Sequence, residues 1–266
     1  MTENLENNLP QGEYDYFFSL GPICATAMLL KSMGLRSFSG PFDWIGGFSF
    51  EERLDFLLSD TQLVLDTDEW EYNGNRFEPE PRDIYTNKRL NMFYPHDFPY
   101  NTPLEISAPI IKDRYERRLK RVRDILHKNK RVLFAYLGNE KINFNLDSMA
   151  ATCARFNKSI SGVARMVYIQ NNKAVPKGTF KVTRPNEFLI FVECDYVLSP
   201  EKVDVEVLKK IFENCHCTNE QNNKKWLAHQ KLKKKIKSWF INKRIKGDDF
   251  YWRILGFKYR PKRPKN

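Results

Sequence analysis

The sequence predicts an α+β domain with a basic helical extension at its C-terminal end. Three observations predict it. A short aromatic strand, Tyr14 to Leu20, turns at Gly21 into an apolar helical run that carries a thiol, Cys24, in its first turn. A strand-rich stretch follows a long amphipathic helix between Ile110 and Asn129. A lysine-dense segment begins at Lys224. The expected organisation is a disordered N-terminus over residues 1–12, the α+β domain over 13–200 and the basic helical extension over 201–266.

Each element has its own reason. Gly21 permits the sharp turn, Pro22 suits a first helical position, and Gly34 is a plausible helix C-cap. Leu35 to Trp44 is a loop with turn residues Ser39, Gly40 and Pro41. Phe50 to Leu58 places Leu54, Leu57 and Leu58 between charges, the period of a short amphipathic helix. Leu63-Val64-Leu65 is an expected short strand, and Tyr72 to Pro81 is turn-rich through Asn73-Gly74-Asn75. Asn87 to Tyr94 is an expected strand leading into Pro95-His96-Asp97-Phe98-Pro99. Ile111, Tyr115, Leu119, Val122 and Leu126 recur at helical spacing, with arginines on the other face. Arg131 to Gly138 is the clearest strand, and Leu146 to Phe156 is an expected helix. Gly162 to Gln170, Thr179 to Thr183 and Glu187 to Val197, separated by turn residues, are expected as three antiparallel strands. Val203 to Asn214 and Lys224 to Arg244 are expected helices.

Composition narrows the class. At 266 residues, 41% hydrophobic and 14% aromatic, the chain can build a substantial core. The start, Met1-Thr2-Glu3-Asn4-Leu5-Glu6, lacks the apolar stretch of a secretory signal. The longest apolar runs, Val132 to Leu137 and Phe188 to Val192, are strand-sized, against the about 20 residues of a membrane span. Five cysteines without disulfide-framework spacing fit a reducing compartment, so a cytoplasmic protein is expected. Residues 224–266 hold 16 Lys+Arg and 2 Asp+Glu, a net of +14, so the rest of the chain carries −3 of the total +11. A near-neutral body argues against specific nucleic-acid binding. The basic tail, residues 224–259 with Trp226, Leu232, Ile236, Trp239 and Phe240, reads either as a helix on an anionic membrane surface or as one packed with a solvated lysine face.

The chemistry centres on Cys24. First-turn amides lack intrahelical acceptors, and the positive end of a helix favours the thiolate, the reactive form. The alternative is a small buried residue on a core helix. A thiol nucleophile needs a base. His127 and His229 lie on basic surface stretches, and His216 lies between Cys215 and Cys217. His96 is the candidate base, held between Pro95 and Pro99 beside Asp97. Asp66-Thr67-Asp68 has the form of a metal-holding sugar-nucleotide motif, and Cys215-His216-Cys217 is too tightly spaced for a usual zinc site. No glycine-rich phosphate loop is present.

Ser19-Leu20-Gly21-Pro22-Ile23-Cys24, Ser39-Gly40-Pro41-Phe42-Asp43-Trp44, Tyr94-Pro95-His96-Asp97-Phe98 and the helix around Tyr115 to Val122, followed by Val132 to Tyr136, form a motif series. It resembles a family of bacteria and large DNA viruses described as papain-like cysteine peptidases, some members lying beside surface-polysaccharide genes. The resemblance covers roughly Phe17 to Leu137. It implies a papain-like core with Cys24 as nucleophile and His96 as base. Asp43 and Asp97 are the leading residues to orient the imidazole, with Asn139 a third. Papain-like enzymes carry a glutamine six residues before the cysteine; here that position is Phe18, and Ser19 is the alternative donor. Arg117, Arg118 and Arg121 are either a solvated helix face or, for Arg117 and Arg118 by the family pattern, a cleft wall that binds a carboxylate or phosphate.

The expected activity is hydrolysis or transfer of an acyl group, from a peptide, amide, ester or glycan-linked substrate, through a Cys24 thioester and without a metal or cofactor. Two alternatives stand beside it. One is a glycosyltransferase-like enzyme of surface-polysaccharide assembly, using Asp66, Asp68 and the arginine face with its tail on the inner face of a membrane. The other is a non-catalytic binding protein on the same fold.

Overall fold

The computed structural model describes residues 9–59, 67–77, 80–138, 144–196 and 205–219, with residue 228 and two short strands near the C-terminal end. In chain order the first elements are β1 (Gly12–Tyr14), β2 (Tyr16–Gly21), α1 (Cys24–Ser32), β3 (Gly46–Gly47) and α2 (Phe50–Leu58). Then come β4 (Trp70–Arg76), β5 (Arg82–Asn87), β6 (Met92–Pro99), α3 (Leu104–Leu126), β7 (Arg131–Gly138) and α4 (Leu146–Lys158). The last are β8 (Val163–Asn171), β9 (Lys181–Thr183), β10 (Leu189–Cys194), α5 (Val205–Ile211), β11 (Cys215–Cys217), β12 (Trp252–Ile254) and β13 (Phe257–Tyr259). The molecule is an α+β protein with mixed sheets.

The central sheet has the order β2-β7-β8-β10-β9. β7 pairs in parallel with β2 and β8, and β10 pairs in parallel with β8. A strand buried on both faces reads as a continuous apolar run, and β7 does: Val132, Phe134 and Tyr136 enter one hydrophobic cluster, Leu133, Ala135 and Leu137 the other. The first cluster takes in side chains of α2, α3 and α4; the second takes in α1 and α5. Tyr136, Tyr168 and Phe191 occupy one cross-strand row and stack at 4.7 and 5.5 Å between ring centres.

The three strands expected to be antiparallel are arranged differently. β8 and β10 are parallel, and β9 is an antiparallel edge strand on β10 alone. The turn residues at Asn171-Asn172 and Pro176-Lys177-Gly178 belong to a long return between the parallel pair, not to successive hairpins.

A second sheet, β3-β6-β5-β4, is antiparallel throughout. It includes β4, where the sequence suggested only turns. The chain divides into two compact units, Met1–Asn223 and Lys224–Asn266. α5, expected in the extension, therefore belongs to the first unit, where Val207, Leu208 and Ile211 are buried. In the second unit β12 and β13 form an antiparallel pair. The expected Leu63-Val64-Leu65 strand, Asp66, Asn139 and, apart from residue 228, the helix over 224–244 lie outside the described residues. No helix among the described residues is long and apolar enough to cross a membrane.

Candidate active site

The turn into α1 is wired by its own residues. Gly21 has φ +88°, a conformation glycine adopts at low cost. Its N–H donates to Ser19 Oγ at 3.1 Å, and Thr26 Oγ1 donates back to the Gly21 carbonyl at 2.9 Å. Ile23 is the N-cap, and Cys24 is the first helical residue, so Pro22 lies before the helix and not at its first position. Ser19 is buried and accepts the Gly21 N–H, which fixes the turn and leaves its O–H as a donor.

Arg53 supports the turn from below. It is 0% exposed, donates Nε–H to the Phe48 carbonyl at 3.2 Å and Nη2–H to the Gly47 carbonyl, and packs on the Phe42 ring. A Cβ added to Gly21 would stand 2.5 Å from Arg53 Nη1. Burial lowers the Arg53 pKa to about 10. Gly47 pairs with Met92 of β6. One guanidinium thus braces both the turn before Cys24 and the strand that carries His96.

His96 sits on a β-bulge. Between the pairs Tyr85–Tyr94 and Asp83–Phe98, Pro95, His96 and Asp97 of β6 all face the single Ile84 of β5. In the next strand Asn73 and Gly74 of β4 face the same Ile84, between the pairs Tyr72–Tyr85 and Asn75–Asp83. Such bulges re-aim side chains. Arg76, two residues beyond Gly74, reaches across, with Nη2 2.6 Å from His96 Nδ1. A guanidinium can only donate, so Nδ1 accepts and the neutral ring carries its proton on Nε2. The Trp44 ring packs edge-on against the imidazole at 5.5 Å. Trp44 is therefore a wall of the site, a role the sequence left unassigned.

Arg76 is also the charged side chain that acts on Cys24. It links the two sequence-predicted residues, hydrogen-bonding one and biasing the other. Both lean to their neutral forms. Burial pushes the half-buried Cys24 thiol up, against its own and the Ala25 backbone N–H and the Arg76 charge. Burial, then the Arg76 charge, pushes His96 down; Asp97 opposes this and Arg82 adds to it. The helix terminus does not win against desolvation, as the sequence suggested it would.

The proposed orienting carboxylates are engaged elsewhere. Asp97 accepts from Arg114 Nη1 and Tyr115 Oη of α3, both at 2.6 Å, and so fastens β6 to α3. Asp43, 1% exposed, pairs with Arg36 and accepts the Gly40 N–H at 2.8 Å, closing the turn that presents Trp44. Neither is hydrogen-bonded to the imidazole. Arg117 is exposed and pairs with Asp113 one turn back, as on a solvated helix face. Arg118 turns inward over the Tyr115 ring, its Nη1 buried without a partner. Arg76 was missed because Asn73-Gly74-Asn75 reads as a turn; the bulge depends on pairing with β5, which no local pattern reports.

Other candidates resolve simply. β11 alternation buries Cys215 and Cys217, whose thiols donate to the Pro10 and Asp15 carbonyls, and leaves His216 exposed. No group of three or more potential metal ligands occurs among the described residues. A surface cavity of about 460 Å³, lined by Tyr72, Asn75, Asp83, Tyr85 and Tyr100 among others, does not include Cys24 or His96.

Residues 15–153 match the family described as putative papain-like cysteine peptidase, more than half of the chain. The chain belongs to that family. The matched span contains β2, the Cys24 turn, the Pro-Phe-Asp-Trp block, the bulged β6, α3 and β7. An uncharacterized protein of Acanthamoeba polyphaga mimivirus is 33% identical over 137 residues. That similarity spans 44% of this chain and 59% of the viral protein. No solved structure matches.

Proposed function

We propose that the chain is a thiol enzyme of acyl transfer or hydrolysis, with Cys24 as nucleophile and His96 as base. The observation that carries this reading is the 2.6 Å contact of Arg76 Nη2 with His96 Nδ1 on a bulged strand, and the Arg76 charge also opposes the burial-driven rise of the half-buried Cys24 thiol at the first residue of α1. Family membership supports it independently. With both groups neutral at rest, no preformed thiolate–imidazolium pair is required. The imidazole takes the Sγ proton as sulfur adds to the acyl carbon, then gives it to the leaving group. The resulting Cys24 thioester passes to water or to another acceptor. The backbone N–H of Cys24, without an intrahelical acceptor at the first position of α1, is the first donor to the developing oxyanion.

Labelling at limiting concentration by a neutral thiol-directed electrophile tests the assignment. Cys24→Ala is expected to abolish the adduct and Cys153→Ala to leave it, because Cys153 is 0% exposed with its thiol raised to about 12. An adduct that survives Cys24→Ala contradicts the reading.

A further inference from the structure

Arg76 and Arg82 act on His96, and Arg114 holds the neighbouring Asp97, in a body that is net negative outside its tail. Their partners differ. Arg114 is neutralised by Asp97, and Arg82 pairs with Glu80 at 2.7 Å. Among the described residues Arg76 pairs with no carboxylate. It spends Nη2 on the imidazole, and its Nε–H is buried without a partner. A buried guanidinium N–H left unmatched is costly. The guanidinium fork matches two carboxylate oxygens in one plane.

The contact with His96 has a chemical consequence. The one lone pair of the neutral ring points at Arg76, so the nitrogen that would accept the Cys24 proton is blocked while Arg76 stays in place. Arg76 from β4, Arg82 from β5, Asp97 on β6 itself and the Trp44 ring are the neighbours that set the ring's charge state.

Building on the thiol reading, we propose that Arg76 receives a carboxylate carried by the substrate beside its reactive carbon, and that this pairing draws the guanidinium off His96 Nδ1. The freed Nδ1 accepts the Sγ proton, and the bound anion sits in register with the nucleophile. A neutral acyl compound leaves Arg76 on the ring and the base blocked. The site therefore selects anionic acyl substrates by the same movement that activates it.

Two alkylating reagents that differ by a carboxylate against a neutral amide, iodoacetate and iodoacetamide, test this on the full chain. In each reaction an S–C bond forms, the C–I bond breaks with its electron pair leaving as iodide, and the thiol proton goes to His96 or water. The rate with iodoacetate divided by the rate with iodoacetamide is measured at Cys24 and, in the same buffer, for N-acetylcysteine. At low salt the protein ratio is expected to exceed the free-thiol ratio by roughly tenfold, the effect of one charge-assisted pair. Rising ionic strength and Arg76→Gln should both bring it towards the free-thiol value, with Arg76→Lys between, since lysine keeps the charge but not the fork. Equal ratios for the unmodified protein and the free thiol overturn the anion site while leaving Cys24 a reactive nucleophile. A Cys24 inert to both reagents removes the thiol reading and this inference with it. The unmodified protein decides the matter alone, so a variant that fails to fold rescues nothing.

Discussion

At the scale of single residues, burial and one arginine set the chemistry. The thiol is raised above its ordinary 9.0 and the imidazole lowered below its ordinary 6.5. Alkylation of Cys24 by a neutral reagent should therefore keep rising with pH beyond 9, because the thiolate fraction still grows there. Levelling near neutrality would show that a stabilised ion pair exists after all. For a reaction that uses neutral His96 as base, the acid limb of the pH–rate profile should fall below pH 6.5. Arg76→Gln removes a positive charge that disfavours the imidazolium, so it should move that limb upwards. An unmoved limb would deny the coupling between the two groups. Cys24 and His96 stand out in the sequence as candidates because each carries a local signature: a thiol after a glycine turn, and a histidine between prolines. It misassigned Asp43 and Asp97 because proximity along the chain says nothing of which face of a strand or turn a carboxylate leaves from. Asp97 neighbours His96 in sequence yet turns to α3.

At the scale of elements, the two halves of the site are held by Arg53 and by two facing bulges. Helices and apolar strands were legible. α2 begins at a Ser49–Glu52 capping box, and β7 has the bounds its apolar run predicts. β4 was not legible, because its bulge residues, Asn73 and Gly74 with φ +100°, have the composition of a turn. Gly21→Ala tests the brace under α1. An alanine would hold φ +88° at a cost on the order of 1–3 kcal/mol, and its Cβ would displace the Arg53 guanidinium. The expected outcome is a lower urea midpoint together with slower alkylation of Cys24. An unchanged midpoint would mean that Arg53 does not support this turn.

At the scale of the whole molecule, one mixed sheet with two hydrophobic clusters carries the Cys24 turn at the end of β2, and the antiparallel sheet carries His96. The α+β class follows from the alternation of helical and extended stretches. The parallel pairing of β8 with β10 does not, because it is decided by where a long return deposits β9. Deleting residues 224–266 removes a net +14 from outside the first unit. The thermal unfolding transition of that unit should persist, while the net charge changes sign to −3 and binding to a cation exchanger is lost. Loss of the transition would show that the two units fold as one. Acylation of the thiol is the event on which the function rests. Mixing the full chain with a p-nitrophenyl ester carrying a free carboxylate on its acyl group, and following nitrophenolate release alongside intact and peptide mass, reads it directly. The prediction is a burst of about one equivalent, an acyl mass on the peptide containing Cys24, and neither in Cys24→Ala or His96→Gln. A burst that persists in Cys24→Ala, or an acyl group mapped to another side chain, would contradict it.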